Sequence, residues 1–186
     1  AGHASLVSST EYSPDGSFII TASGDKTANI WDAATGKLRK TLTGHDGAVT
    51  SACFSPNGQR VVTASVDQTA RVWSAQLGQS ERLLSTLEGH TSWVSAAGFS
   101  PDGRRVLTAS RDHTARVWDA RSGRLLMTLS DHSDEVKGVA ASSDGRRIVT
   151  GGLDKTVRIF DATTGKLLQS MPSGGAVTGA MFSPDD

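Results

Sequence analysis

The sequence predicts an all-β chain built from four copies of one antiparallel four-stranded unit, followed by one further strand. Its turn signal, Ser-Pro-Asp-Gly or a close variant, starts at Ser13, Ser55, Ser100 and Ser142, and a truncated copy starts at Ser183. Between these signals lie short runs rich in Val, Ile, Thr and Ala, which is the composition of β-strands. No segment of useful length has helical periodicity. Self-similarity at a fixed period indicates a repeat architecture.

Aromatic and histidine residues define the period. The aromatic residues recur at Trp31, Trp73, Trp118 and Phe160, with spacings of 42, 45 and 42 residues. The histidines recur with the same spacings at His3, His45, His90 and His132. Because each histidine precedes its aromatic residue by 28 positions, the extra residues of the second copy fall after Trp73. They predict a longer surface loop within Ala75–Arg82.

The first copy shows how the strands and turns alternate. We predict strands at Leu6–Tyr12, Phe18–Ala22, Thr27–Trp31 and Lys37–Leu42. Pro14 pre-sets its own φ and Gly16 permits a positive φ, which suits a type I hairpin turn. Applied to the whole chain, the pattern predicts units at 1–42, 43–87, 88–129 and 130–171, and an extra first strand within 173–186.

Composition restricts the classes of function. The 186 residues include 19 Lys and Arg and 19 Asp and Glu. A formal net charge of zero disfavours nucleic-acid binding, which relies on a basic surface. The apolar runs are too short to span a membrane. The single cysteine, Cys53, excludes an intrachain disulfide and a cysteine-based zinc site, and agrees with a cytoplasmic location.

No cofactor or metal is predicted. The phosphate-binding loop, the dinucleotide fingerprint and the zinc-hydrolase motif are all absent from the sequence. The chain starts at Ala1 without a visible signal peptide, so it is expected to be a processed product or an excised piece of a longer chain.

Two dipeptides complete the repeat signature. The first stands near the start of each copy, at Gly2-His3, Gly44-His45, Gly89-His90 and, as a variant, Asp131-His132. The second stands near the end, at Trp31-Asp32 and Trp118-Asp119, with the variants Trp73-Ser74 and Phe160-Asp161. A period of about 42 residues with these dipeptides resembles the WD-repeat family of β-propellers. The resemblance covers essentially the whole chain and implies four-stranded blades around a central channel.

The resemblance also implies a hydrogen-bonded set of histidine, a strand serine or threonine, turn aspartate and tryptophan in each blade. The matching residues are His3, Ser23, Asp25 and Trp31; His45, Ser65, Asp67 and Trp73; and His90, Ser110, Asp112 and Trp118. The fourth copy keeps His132 and Asp154, but Gly152 and Phe160 replace the serine and the tryptophan. We therefore expect a broken network and a less rigid fourth blade. A Ser-His-Asp set also suggests catalysis, but its regular repetition favours a structural role.

Residues outside this framework are the candidate binding residues. The resemblance implies that three positions of each blade point to the face that receives partners, and these hold Trp93, Ser95, Arg111, Glu135, Lys137 and Leu153. An exposed tryptophan beside an arginine has the composition of an interface hot spot. The alternative is that Trp93 packs against neighbouring loop backbone and binds nothing. His113 is expected to be an exposed turn residue, and Cys53 a small buried one.

Three functions remain open. The resemblance implies a non-catalytic scaffold that binds a protein or peptide, as the recognition region of a larger multidomain protein. A second possibility is self-assembly, in which two chains form a ring of about eight blades. A third is a propeller hydrolase with a metal in the central channel, but few acidic residues remain outside the framework. We expect no nucleic-acid or membrane partner, and the ring is completed by missing blades, by a second copy as a homodimer, or by these four blades alone.

Overall fold

The computed structural model describes residues 2–78 and 82–183, and in these ranges every regular element is a β-strand. The strands are β1 (Val7–Tyr12), β2 (Phe18–Ser23), β3 (Ala28–Asp32), β4 (Leu38–Leu42), β5 (Val49–Phe54), β6 (Arg60–Ser65), β7 (Ala70–Ser74), β8 (Leu83–Leu87), β9 (Val94–Phe99), β10 (Arg105–Ser110), β11 (Ala115–Asp119), β12 (Leu125–Leu129), β13 (Val136–Ala141), β14 (Arg147–Gly152), β15 (Thr156–Asp161) and β16 (Leu167–Pro172). Each consecutive group of four strands forms one antiparallel sheet, and these sheets are blades one to four.

The predicted turn chemistry forms the first hairpin of every blade. In blade one, Ser13 donates its hydroxyl hydrogen to Asp15 (2.6 Å) and accepts the amide of Phe18 (2.9 Å). Gly16 adopts φ +71° and its N–H donates to the Ser13 carbonyl (2.8 Å). A residue with a Cβ pays a steric cost at this φ, which favours glycine. The hydrogen bonds fix where β1 ends and β2 begins.

Because the strands alternate in direction, each blade has two distinct edges. The turns between its first and second strands and between its third and fourth strands lie at one edge, which we call the lower edge. The turns between its second and third strands, and the loops that lead to the next blade, lie at the upper edge. The longer loop predicted within Ala75–Arg82 joins β7 to β8 at the lower edge, and its residues 79–81 lie outside the described ranges.

The core lies between blades. One face of each blade, which we call the rear face, packs against the front face of the next blade in three similar apolar clusters. Between blades one and two, Ile20 and Ile30 of the rear face meet Val61 and Trp73 of the front face. All four are at least 97% buried, so this contact supplies the hydrophobic stabilisation that a single sheet lacks.

The four blades form an open arc. The innermost strands β1, β5, β9 and β13 pack side by side in chain order. Within the described ranges no other blade covers the front face of blade one, and Val7 of β1 is 52% exposed. The equivalent valines of the next three blades, Val49, Val94 and Val136, are at most 1% exposed. The arrangement is therefore part of a propeller.

The extra strand expected within 173–186 is a correction to the sequence analysis. Residues 173–183 contain no strand, and residues 184–186 lie outside the described ranges. The segment nevertheless lies along β13 and β14, where the Val177 amide donates to the Gly152 carbonyl (3.0 Å). Its approach is so close that a Cβ at Gly138 would lie 2.6 Å from the Ala180 nitrogen. It occupies the place of the next blade's first strand without the ladder of a sheet.

Candidate functional site

Blades one, two and three each contain a buried chain of hydrogen bonds that starts at the tryptophan of the blade. In blade three, the indole N–H of Trp118 donates to Thr108 Oγ1 (2.8 Å), and Thr108 Oγ1 lies 2.7 Å from Nε2 of His90. Nδ1 of His90 lies 2.7 Å from Oδ2 of Asp112. Because the Asp112 carboxylate can only accept, His90 donates to it from Nδ1, and Thr108 Oγ1 accepts the indole N–H. Each of the four side chains thus has a hydrogen-bond partner inside the blade.

The electrostatics agree with this assignment. Burial would raise the pKa of Asp112, but hydrogen bonds from His90 and Thr114 outweigh it and hold the pKa well below its usual range. In blade two, burial lowers the pKa of His45 despite the hydrogen bond to Asp67. At neutral pH the Asp67 carboxylate is therefore charged and the His45 imidazole is neutral.

The hydroxyl in this chain is a correction. We expected Ser23, Ser65 and Ser110, but the bridging residues are Thr21, Thr63 and Thr108, two positions earlier on the same strand face. The serines serve the turn instead, and Ser65 accepts the Asp67 amide (3.1 Å) and donates to the Gly47 carbonyl (3.2 Å). The sequence did carry a signal for the threonine, since every copy has one at this position, including Thr150 in blade four.

Blade four is also less disrupted than expected. His132 still lies 2.7 Å from Thr150 Oγ1 and 3.0 Å from Asp154, so the replacement of serine by Gly152 removes nothing from the chain. Phe160 is fully buried and lacks only the indole donor. Arg158, which the sequence analysis did not single out, donates to Asp154 Oδ2 (2.6 Å) and Thr156 Oγ1 (2.7 Å). The network of blade four is therefore retained in an altered form.

Four of the predicted binding residues form one cluster at the upper edge of blades three and four. The guanidinium carbon of Arg111 lies 4.0 Å from the ring centroid of Trp93, and Trp93 is 42% exposed. Glu135 joins the two blades, because its Oε2 lies 3.5 Å from Nε of Arg111 and 2.7 Å from Nζ of Lys137. We call Trp93, Arg111, Glu135 and Lys137 the upper cluster.

Backbone hydrogen bonds hold the upper cluster in place. The Arg111 amide donates to the Trp93 carbonyl (2.9 Å), which ties the turn to the loop before β9. In the next blade, the Leu153 amide donates to the Glu135 carbonyl (2.8 Å). Two rigid sheets thus present the cluster, and its side chains need little ordering when they bind.

The other two predicted binding residues occupy different surroundings. Leu153 is half-buried beside Glu135. The Ser95 hydroxyl is buried and has no partner among the described residues. The equivalent hydroxyls of Ser8 and Thr50 donate to the carbonyls of Val49 and Val94 in the next blade, each at 2.6 Å. Ser95 therefore lies behind the exposed cluster with its hydrogen-bonding capacity unused.

The remaining candidates have ordinary environments. His113 is an exposed turn residue, as expected. Cys53 is buried, burial raises the pKa of its thiol, and Sγ lies 3.6 Å from the Ala97 carbonyl. Among the described residues no group of three His, Cys, Asp or Glu side chains is arranged to hold a metal ion. Likewise, the described part of the chain has no helix long and apolar enough to cross a membrane.

The chain shares a short stretch of sequence with a known protein. "Protein Mut11" of Chlamydomonas reinhardtii is 47% identical to this chain over 36 residues, which are 19% of this chain and 10% of that protein. The chain thus matches only about a tenth of that relative's length.

The family profile described as "WD domain, G-beta repeat" matches residues 1–32, 36–74, 81–119 and 123–161, which is most of the chain. After the first, each matched segment begins just before the outermost strand of one blade and ends with the third strand of the next. The sequence repeat is thus offset by one strand from the blade. The chain belongs to the WD-repeat family.

Proposed function

We propose that this chain is a non-catalytic scaffold that binds a protein or peptide through the upper cluster, as the recognition region of a larger protein. WD repeats are in general protein-interaction scaffolds, and that general role applies to this chain. The observation that carries the finer proposal is the exposed indole of Trp93, held under the guanidinium of Arg111 at the junction of two blades.

The cluster has the composition of a binding hot spot. Tryptophan and arginine dominate such sites because they supply large contact areas with polar groups at their margins. Arg111 already stacks on Trp93, so its pose is set before the partner arrives. Glu135 and Lys137 add a charged margin that favours one orientation of the partner. Leu153 would add apolar area beside it, whereas the buried Ser95 hydroxyl is closed to a partner.

The buried networks support a non-catalytic role for the histidines and aspartates. In blades two and three, the threonine hydroxyl accepts the indole N–H and faces the histidine, so it is enclosed rather than open to a substrate. The same closed chain recurs in successive blades, and its stabilising role explains its residues without a reaction.

Substitution of Trp93 by alanine tests the proposal. Peptides would be selected on the full chain from a random display library, and their affinities measured by calorimetry. We expect Trp93→Ala to weaken binding by more than about tenfold with an unchanged melting temperature, because the side chain contributes to the surface rather than the core. Tyr12→Ala removes another exposed aromatic, at the far end of β1, and is expected to bind normally. Equal affinity of wild type and Trp93→Ala would refute the proposal.

A second candidate function is self-assembly. It is favoured by the exposed front face of blade one, whose equivalents in the other three blades are each covered by a preceding blade. A second copy or further blades would cover it with the same geometry, and two copies would give a ring of about eight blades. The molecular mass of the protein in solution, measured by light scattering at several concentrations, tests this possibility.

We also propose that the protein acts in the cytoplasm. The single buried thiol of Cys53 and the absence of a disulfide among the described residues support a reducing compartment. Recovery of the protein in a secreted or membrane fraction of the native cells would contradict this assignment.

A further inference from the structure

The lower edge of blades three and four carries arginines that the blade framework does not explain. Arg104, Arg121, Arg124 and Arg146 are exposed, and none of them forms an ion pair with another described residue. The position of Arg104 and Arg146 holds Ser17 in blade one and Gln59 in blade two. The same turn forms whether this position holds Ser17, Gln59, Arg104 or Arg146, so the turn does not need a charged side chain there.

Arg121 is equally particular to blade three. The other blades have Ala34, Gln76 and Thr163 at its position. Its main chain does serve the turn, because the Arg121 amide donates to Asp119 Oδ1 (3.2 Å). The guanidinium is a feature of this chain and not of its repeat.

The turn aspartates beside these arginines are engaged by their own turns. Oδ1 of Asp102 accepts the Ser100 hydroxyl (2.6 Å) and the Arg104 amide (3.0 Å). Oδ1 of Asp119 accepts both the hydroxyl and the amide of Ser122, each at 2.7 Å. These carboxylates stabilise backbone turns, and the arginine side chains beside them keep their donors for other groups.

A cleft brings two of these arginines, Arg104 and Arg121, together with Arg60. It has a volume of about 330 Å³ and is lined by Arg60, Asp102, Gly103, Arg104, Asp119 and Arg121. Arg60 reaches it from blade two and is fixed in place, since its guanidinium donates to the carbonyls of Gly103 (2.6 Å) and Ala120 (3.1 Å) and lies over the Phe99 ring. Arg104 and Arg121 face the same space from two turns of blade three. Guanidinium groups bind carboxylates through paired hydrogen bonds.

We propose that this cleft is a second binding site, which takes the carboxylate side chains of an Asp- or Glu-rich segment of a partner protein. It lies at the opposite edge from the upper cluster and does not rest on the function proposed for that cluster. A single-stranded nucleic acid fits less well, because the cleft lining has no aromatic side chain on which bases could stack.

The test uses the full chain and a fluorescein-labelled octaglutamate peptide in fluorescence anisotropy at low salt. We expect saturable binding that weakens with added salt, and a loss of affinity of at least about fivefold in the double variant Arg104→Gln/Arg121→Gln. The matched control Lys26→Gln/Lys155→Gln removes two exposed charges from the upper edge and is expected to change affinity by less than about twofold.

Melting temperatures equal to wild type would show that both double variants fold. The site is rejected if octaglutamate fails to bind, or if both double variants lose affinity equally. A labelled oligothymidylate that binds more tightly than octaglutamate, through the same two arginines, would replace the acidic peptide by a nucleic acid and so overturn the proposal.

Discussion

At the scale of single residues, Arg158 shows how blade four tolerates the loss of its tryptophan. Its guanidinium donates to the buried carboxylate of Asp154 (2.6 Å) and to the hydroxyl of Thr156 (2.7 Å). In blade three the equivalent Arg116 lies 4.0 Å from Asp112, and its Nε has no partner among the described residues. The arginine at this position therefore hydrogen-bonds to the network aspartate in blade four and lies farther from it in blade three.

We predict that Arg158→Ala lowers the free energy of unfolding by about 1.5–3 kcal/mol, because the buried Asp154 carboxylate loses its hydrogen bond from a charged group and keeps those from His132, Thr156 and Ser133. Arg116→Ala is the matched control and is expected to cost clearly less. Urea denaturation of both variants measures the difference. Equal losses would mean that Arg158 contributes only the packing of its hydrocarbon chain.

The residue scale also shows what the sequence could establish. The histidines, aspartates and tryptophans of the network were predicted from their constant spacing. The serine was predicted wrongly, because residues two apart on a strand share a face and spacing alone does not say which one reaches the indole. Only the pairing of β2 with β3, which sets Ile19 opposite Trp31, brings Thr21 within reach.

At the scale of elements, the turn at the upper edge of each blade contains a backbone conformation that its residues disfavour. Lys26, Gln68, His113 and Lys155 adopt φ values between +61° and +72°. For a residue with a side chain this left-handed conformation costs roughly 1–2 kcal/mol. Glycine avoids that cost but loses more conformational entropy on folding, by about 0.5–1 kcal/mol.

We therefore predict that Gln68→Gly raises the free energy of unfolding by up to about 1 kcal/mol, since the relief of strain exceeds the entropy cost. Gln59→Gly is the matched control, because Gln59 is exposed and has no positive φ. It is expected to be destabilising. Thermal denaturation of both variants is the measurement, and a destabilised Gln68→Gly would show that the turn is not strained.

The element scale separates what local sequence predicts from what tertiary pairing decides. The strands of blade one were predicted within one residue at each end, because turn residues mark their ends. The extra strand expected within 173–186 did not form, for a different reason. A first strand pairs with the second strand of its own blade, and the described residues contain no such neighbour to satisfy its backbone groups. The segment has the composition of a strand, but the described residues contain no second strand with which it could pair.

At the scale of the whole molecule, the upper cluster lies at the upper edge of blades three and four, and the proposed cleft lies at the lower edge of blades two and three. The upper cluster offers an aromatic contact with a charged margin, and the lower cleft offers guanidinium groups. The chain's net charge of zero hid this second feature, because acidic residues committed to turns balance the arginines in any count of the sequence. Only the fold separates charges that serve the backbone from charges that face solvent.

The whole-molecule prediction concerns the bare front face of blade one. Three internal interfaces show that such a face is complementary to the rear face of another blade, and here Val7 is 52% exposed where its counterparts are buried. We expect light scattering to show a mass that rises with concentration above 19.4 kDa, because exposed apolar blade faces associate.

Val7→Lys is expected to hold the chain at 19.4 kDa, since an ammonium group on this face cannot be buried without a large cost. Leu126→Lys, on the exposed outer strand of blade three, is the control and is expected to associate like wild type. A mass that stops at twice the chain would support the ring of two copies, and growth without limit would mean that blade faces stack in an open series. A wild-type mass equal to one chain at every concentration would rule out self-assembly. The front face of blade one would then be covered by blades from another part of a larger protein.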